Sequence, residues 1–586
     1  MMTVRLLRAL LALVMLSSSG PALAERGERF VSVAFHDVVD TPAELDADAV
    51  TTDRLIAFFD FIRGAGWSPI TLDDLSRSRR GERPLPDKAI LITFDDGYRS
   101  LYSRVFPLLL AYRIPIVSAL VGEWLDAPPD ATVLYAGKPV PRNTFIDWEQ
   151  AREMQASGLV EFASHTYAQH RELPANPQGN MTPALYTARY DRISKTYESV
   201  EQFRERLRQD IQRNNALLER ELGRKPRAIV WPYGRYSLEA LSIIRAEAYE
   251  FALTLDDEPA STDRPLQIGR YLPTAGLTLA DLVTDLRFRD RLPASQRLIR
   301  IDTDALWSPD PAEFDRRLGH LIEQVRALGA TAAVLDAFFA DPITGEVSAW
   351  FPNPVLSVRG DALNRIAWQI RTRAGVSPIV DTRLPELAAR MPRESVVALH
   401  HHLGWQVPID GMIVSDAAAL ARHRAESMTG VAADRWSIRE ARRALNLDRL
   451  PPSEQLALSA FRAVETFRPA LLLIALNRFE RGDAPGHLID LQLYRTETTE
   501  PSVDTLTGAL SAAGLLSDRP SRRRIGIWLD AAERPPSAES LRAIVRRIQI
   551  AGGTAIGWSP GRLFENPAEV ERLGRFFSAA SFPVRY

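Results

Sequence analysis

The stretch AILITFDDGYRS, Ala89–Ser100, decides how this chain folds. Its first six residues form a short, continuous apolar run of the kind found in a strand covered on both faces, and such strands belong to parallel sheets. The run ends on Asp95, Asp96 and Gly97. In parallel α/β folds, reactive groups collect at the C-terminal ends of strands. Two adjacent carboxylates at the end of a buried strand are costly without a nearby cation, and a divalent metal would supply one. Successive strand residues point to opposite faces, but at a strand-to-turn junction both carboxylates can reach one cavity in different roles. Taken alone, Asp-Asp-Gly also reads as an ordinary turn with exposed carboxylates.

Working outward, strands and helices alternate from about Arg29 to Ala275. FVSVAF (Phe30–Phe35) reads as a strand that runs into His36 and Asp37, and TTDRLIAFFDFIRGAG as an amphipathic helix stopped by Gly64 and Gly66. YRSLYSRVFPLLLAYR reads as helix, IPIVSALV as strand, DWEQAREMQASG as helix and LVEFAS as strand. A long charged helix, SVEQFRERLRQDIQRNNALLERELG, precedes the strand RAIVWPYG. This order implies a parallel sheet, open or closed into a barrel. RDRLPASQR (Arg289–Arg297) is a polar connector, and a second strand-helix series follows it, from RLIRIDTDALW to TAIGWSP. The fold class is therefore α/β with two (β/α) barrel-like domains. The expected boundaries are 25–285 for the first domain, 286–298 for a linker and 299–586 for the second. RPSRRR (Arg519–Arg524) reads as a solvated loop.

The chain has 586 residues, 46% of them hydrophobic and 25% charged, with a formal net charge of −2. That balance is globular and gives no electrostatic reason to expect nucleic acid as a partner. Arg5 and Arg8 precede the apolar run Ala9–Leu16 and the small residues ending at Ala24. Residues 1–24 read as a secretory signal peptide cleaved before Glu25, because the apolar run is well short of the ~20 residues of a membrane span. No other segment is long and apolar enough to span. There is no cysteine, so neither disulfides nor an N-terminal lipid on cysteine is available. A soluble periplasmic protein is expected.

Two further stretches carry chemistry in the first half. In EFASHTYAQHREL, His165 and His170 follow an apolar strand at a spacing of five. That spacing does not stack side chains on a helix but suits a loop that turns both imidazoles inward. With one carboxylate they make a two-His, one-Asp site with open positions, suited to zinc or a similar divalent ion. Two of only nine histidines fall in this one loop, which weighs against a pair of unrelated surface residues. In VWPYGRY, Pro232 fixes the chain direction after a strand, and Tyr233 and Gly234 can offer a backbone N–H to a developing oxyanion.

TFDDGY, SHTYAQH and WPYG together resemble the successive motifs of the carbohydrate esterase family four polysaccharide deacetylases. The early FHDV extends the likeness to the bacterial poly-β-1,6-N-acetylglucosamine N-deacetylases of biofilm export, in which the motif order is permuted and the catalytic His comes first. The match runs from about Val31 to Leu272. The resemblance implies a distorted (β/α) barrel whose metal ligands are Asp96, His165 and His170. It implies Asp95 as the general base, His36 as the acid for the leaving amine, and Tyr233 as the oxyanion-binding backbone after Pro232. Trp231 and Arg270 fall where the family has active-site wall and supporting positions. Asp37 is a candidate to orient His36. The implied cofactor is a divalent ion (zinc, nickel, cobalt or iron), the implied substrate the β-1,6-N-acetylglucosamine polymer, and the implied neighbour an outer-membrane polysaccharide export porin. Deacetylation of another N-acetylated glycan and non-catalytic polysaccharide binding are the alternatives.

The second half resembles the same family's TIM-barrel-like, glycoside-hydrolase-type domain. Asp302, Asp304 and Asp416 are carboxylates at candidate strand ends, and Trp307, Trp350 and Phe351 are aromatics placed to stack on sugars. Where the family reads His-Asp-Asp, this chain has Ser415-Asp416-Ala417. Glycoside hydrolysis needs two carboxyl groups or a substrate group in place of one, and Asp416 lacks a convincing partner. Polymer binding without hydrolysis is the expectation. His400, His401 and His402 are consecutive, which a strand cannot aim at one ion, and the stretch reads as a loop.

Overall fold

The computed structural model describes residues 27–46, 48–256, 260–273, 280, 295–415, 435–480, 483, 488–516, 525–530, 536–553, 555–561 and 563–578. The leader-like segment 1–24, most of the connector, Asp416 and Arg519–Arg524 lie outside the described residues.

The first domain is a parallel sheet. From one end to the other its strands are Arg29–Phe35, Ala89–Phe94, Ile116–Leu120, Val160–Ser164, Ala228–Val230, Phe251–Thr254 and Ile268–Gly269, with Ala260–Ser261 antiparallel on the outer edge of the first and Ser68–Pro69 beside the second. Every residue of Ala89–Phe94 is buried, as the unbroken apolar run predicts. The sheet curls until Tyr271, just past the last strand, bridges Val33 of the first. Tyr271 donates its N–H to Ser32 and accepts from Ala34, both at 2.8 Å. The result is the distorted (β/α) barrel that the sequence predicts. Its longest helix, Val200–Leu222, is delimited locally. Ser199 and Gln202 form a capping box at its start, and Gly223 closes it in the left-handed conformation at φ 76°.

The second domain is a closed barrel of eight parallel strands that starts at Gln296–Ile301 and ends at Ala555–Trp558. Its first strand thus begins ahead of the boundary drawn at 299. The triple histidine is not in a loop. It lies inside the helix Arg393–Gln406, because Val396, Leu399 and Leu403 recur at helical spacing and face the core. His400 is fully buried, its Nδ1 lies 2.7 Å from the Val396 carbonyl, and burial pushes it down to about 4. Successive helical residues diverge by about 100°, so the three rings do not converge on an ion in this geometry either.

The two barrels share an apolar cluster. Trp405 and Phe467 of the second pack with Phe203, Leu207 and Trp231 of the first. The Trp405 ring lies 4.7 Å from Phe203 and 4.9 Å from Phe467, and its Nε1 donates to the Glu198 carbonyl. Asn176 and Asn364 bond side chain to side chain at 2.8 Å, and Trp368 donates to the Met181 carbonyl. Trp405→Ala is expected to cost about 3–5 kcal/mol, read as a lower denaturation midpoint. An unchanged midpoint would show that the contact does not couple the barrels.

Candidate active site

The site sits at the C-terminal ends of the first barrel's strands. Three chain reversals build it, and each places a non-glycine residue at positive φ: Asp96 at 72°, Thr166 at 67° and Tyr233 at 58°. Such backbone is uncommon outside glycine and gathers at functional sites. After Asp96 the turn needs Gly97, because a Cβ there would lie 2.8 Å from Leu120. The reversal separates the two carboxylates that follow each other in sequence.

Asp96 meets the histidines. Its Oδ1 lies 3.3 Å from His165 Nε2 and 3.2 Å from His170 Nε2, with all three residues buried. Asp96 Oδ1 and His170 Nδ1 are buried polar atoms with no hydrogen-bond partner among the described residues. His165 Nδ1 lies 2.7 Å from the Val230 carbonyl. A carbonyl only accepts, so Nδ1 carries the proton and Nε2 is left as a lone-pair donor. Two nitrogens, each within 3.3 Å of one carboxylate oxygen and all three atoms within 4.8 Å of one another, fit a divalent ion bonded at ~2.0–2.2 Å. Burial works against the charge on Asp96, but the two imidazoles outweigh it and hold the carboxyl well below its ordinary range.

Asp95 faces another group. Arg270 clamps it with two hydrogen bonds, 2.8 Å to Oδ1 and 2.9 Å to Oδ2, and also bonds the Thr93 hydroxyl and the Thr254 carbonyl. Both side chains are buried. Burial raises the Asp95 carboxyl, and Arg270 and His36 overcome this, so it is ionised below the usual carboxylate range. His36 Nε2 stands 3.8 Å from Asp95 Oδ2, and the His36 side chain is 13% exposed. The fold thus brings His36, Asp95, Asp96, His165, His170 and Arg270 into one cluster. Tyr233 joins them, its ring 4.6 Å from His170, on a 3-10 turn that opens with Pro232.

Two expectations fail. Asp37 does not orient His36. Its carboxylate accepts from the Ser100 hydroxyl at 2.6 Å and from the Val38 N–H at 2.8 Å, because the chain turns immediately after His36. Trp231 is no cavity wall. It is 0% exposed and stacks on Tyr236 in the cluster shared by the barrels.

In the second barrel Asp302 accepts from the Asp304 and Ala305 N–H groups as a helix cap. Asp304 pairs with Arg359 at 3.0 Å, whose guanidinium lies over the Phe339 ring. Trp350 and Phe351 are 1% and 0% exposed, so they pack the core and stack on no ligand; Trp307 is half-buried. The carboxylates at the barrel mouth are instead Asp336 and Asp381, the last residues of adjacent strands, and Arg300 binds both. Burial, opposed by Arg300 and reinforced by Asp381, pushes Asp336 up to about 6. The sequence carried the signal, since both end apolar strands as Asp95 does.

Residues 82–264 match the Polysaccharide deacetylase family, and residues 300–403 match Hypothetical glycosyl hydrolase family 13. The first match encloses Asp95, Asp96, His165, His170 and Tyr233. The N-terminal half thus contains a segment that matches the polysaccharide deacetylase family model. Over 353 residues the chain is 35% identical to the Poly-beta-1,6-N-acetyl-D-glucosamine N-deacetylase of Escherichia coli K12, a match that covers 59% of this chain and 52% of that protein. A protein of the same name from Staphylococcus epidermidis is 23% identical over 178 residues, 30% of this chain and 52% of its own. The structure of the BpsB deacetylase domain from Bordetella bronchiseptica is 39% identical, covers 42% of this chain and 97% of that one, and has a TM-score of 0.39. The chain spans about half the length of the curated relatives it matches.

The deacetylase domain also places residues that pattern reading missed. Trp124 meets the His170 ring edge-on at 4.9 Å, and Tyr135 stacks on it at 6.1 Å. They lie on a short helix, Gly122–Asp126, and a hairpin, Thr132–Tyr135 with Lys138–Pro141. Neither segment has the length or period to stand out in sequence. His165→Ala removes one of three donors and is expected to empty the cluster of metal, as read by elemental analysis of purified protein. Full metal content would overturn the ligand set.

Proposed function

We propose that the deacetylase domain hydrolyses N-acetyl groups of a β-1,6-linked N-acetylglucosamine polymer, releasing acetate and leaving free amines. The observation that carries this reading is the Asp96–His165–His170 cluster beside a second carboxylate, Asp95, which ligates nothing and is held ionised by Arg270. The names of the relatives support the choice of polymer.

Asp96, His165 and His170 would hold the divalent ion; their mixed nitrogen and oxygen donors suit zinc, nickel, cobalt or iron. When bound, the ion lowers the pKa of water from ~15.7 toward ~7 and polarises the amide carbonyl. Asp95 accepts the proton of the attacking water. Arg270 fixes the plane of that carboxylate and keeps it ionised, with lone pairs left free to accept a proton. The Tyr233 backbone N–H supports the carbonyl oxygen as negative charge develops on it. His36, across from the base, delivers a proton to the departing nitrogen, so that the amine leaves neutral.

The second barrel holds the polymer without cutting it. Its mouth carboxylates Asp336 and Asp381 are engaged by Arg300, and Asp304 by Arg359. Residues 25–285 and 299–586 then divide into a catalytic and a polymer-binding domain joined through 286–298. The working place is the periplasm, beside an outer-membrane export porin and within biofilm polymer export. The leader-like residues 1–24 support export, and among the described residues no helix is long and apolar enough to cross a membrane.

Asp95→Asn is expected to retain metal while acetate release from β-1,6-N-acetylglucosamine oligomers falls at least ~10²-fold. Undiminished release would refute its role as base. His36→Ala is expected to lower the same rate ~10²-fold with metal in place; a rate equal to the parent's would remove His36 from the reaction.

A further inference from the structure

Tyr135 lies outside every motif that points to the site. It closes the first strand of the hairpin Thr132–Tyr135, whose two-residue turn uses Ala136 at φ 47° and Gly137 at φ 76°, the pattern of a type I′ turn. Alternation along the strand buries Val133, leaves Leu134 65% exposed and turns Tyr135 back inward. There its hydroxyl donates to Asp96 Oδ2 at 3.2 Å. The two Asp96 oxygens therefore face different neighbours: Oδ1 the two imidazole Nε2 atoms, Oδ2 the phenol. Behind Tyr135, the Tyr98 ring meets it edge-on at 5.6 Å.

We infer that Tyr135 is a positioning residue for the metal: its hydroxyl occupies the outer oxygen of Asp96, so that the carboxylate offers one oxygen to the ion and keeps coordination positions open. The inference rests on the metal site of the proposed function. An unrestrained carboxylate can rotate and bind through both oxygens, taking up a position that water or substrate needs. A hydrogen bond to one oxygen makes it a poorer ligand and fixes the plane, and such outer partners of metal ligands are typically worth ~10–100-fold in affinity. The ring's packing is a separate matter. Tyr135 also contacts Trp124 at 5.3 Å and Phe145 at 6.2 Å, and phenylalanine preserves those contacts.

The test is a cobalt(II) titration of the full chain, followed by visible absorption, on the parent protein, Tyr135→Phe and His165→Ala. Tyr135→Phe is expected to raise the cobalt Kd about 10-fold and to weaken the d–d bands, because a bidentate Asp96 raises the coordination number. A Kd and spectrum identical to the parent's would overturn the role of Tyr135 and leave the metal site standing. If the parent itself binds cobalt no better than His165→Ala, the metal reading fails and the positioning role fails with it.

Discussion

The bidentate pair between Arg270 and Asp95 ties the first barrel together. Arg270 stands between the last strand, Ile268–Gly269, and Tyr271, which bridges back to Val33 and closes the sheet. Asp95 follows the second strand directly and donates its own N–H to the Phe35 carbonyl of the first. One buried ion pair thus spans the seam where the sheet meets itself. Removing one partner from such a pair typically costs about 3–5 kcal/mol, because a bare charge is left in the interior. The same contact holds Asp95 ionised, so one interaction both reinforces the closure that Tyr271 makes through Ser32 and Ala34 and keeps a base available.

The second constraint is the positive-φ turn at Asp96. Adjacent residues in a strand point apart, and here the reversal completes that separation. Asp95 stays with Arg270 and His36, while Asp96 goes to the imidazoles and the phenol of Tyr135. Two carboxylates in sequence become two carboxylates in different electrostatic company. Without Arg270 on one side and the nitrogen donors on the other, burial would drive both toward the neutral acid.

Much of this is legible in the linear chain. The apolar run Ala89–Phe94 announces a doubly covered strand, and His165 with His170 announces a loop that turns inward. The helix from Val200 to Leu222 announces its own ends through Ser199, Gln202 and Gly223. What failed to show were features without period or length. The hairpin that carries Tyr135 is too short to register, and the helix through His400–His402 was masked by three consecutive imidazoles, the first of them fully buried. Asp336 and Asp381 were passed over for Asp302 and Asp304, which lie just beyond their strand, where one caps a helix and the other pairs with an arginine. Trp231 and Asp37 misled for another reason: each adjoins a site residue in sequence, but backbone alternation and turning carry their side chains elsewhere.

The sequence by itself determined the α/β class, the two barrels and the residue types of the site, because buried parallel strands and strand-end carboxylates write themselves locally as apolar runs and polar stops. Only the tertiary structure decided which carboxylate meets which partner. Arg270 lies 175 positions from Asp95, Val230 lies 65 from His165, and Tyr135 lies 39 from Asp96. Contacts across such separations follow from how the sheet curls and closes. No local propensity encodes them, because the energy that selects them belongs to burial and charge pairing in the completed barrel.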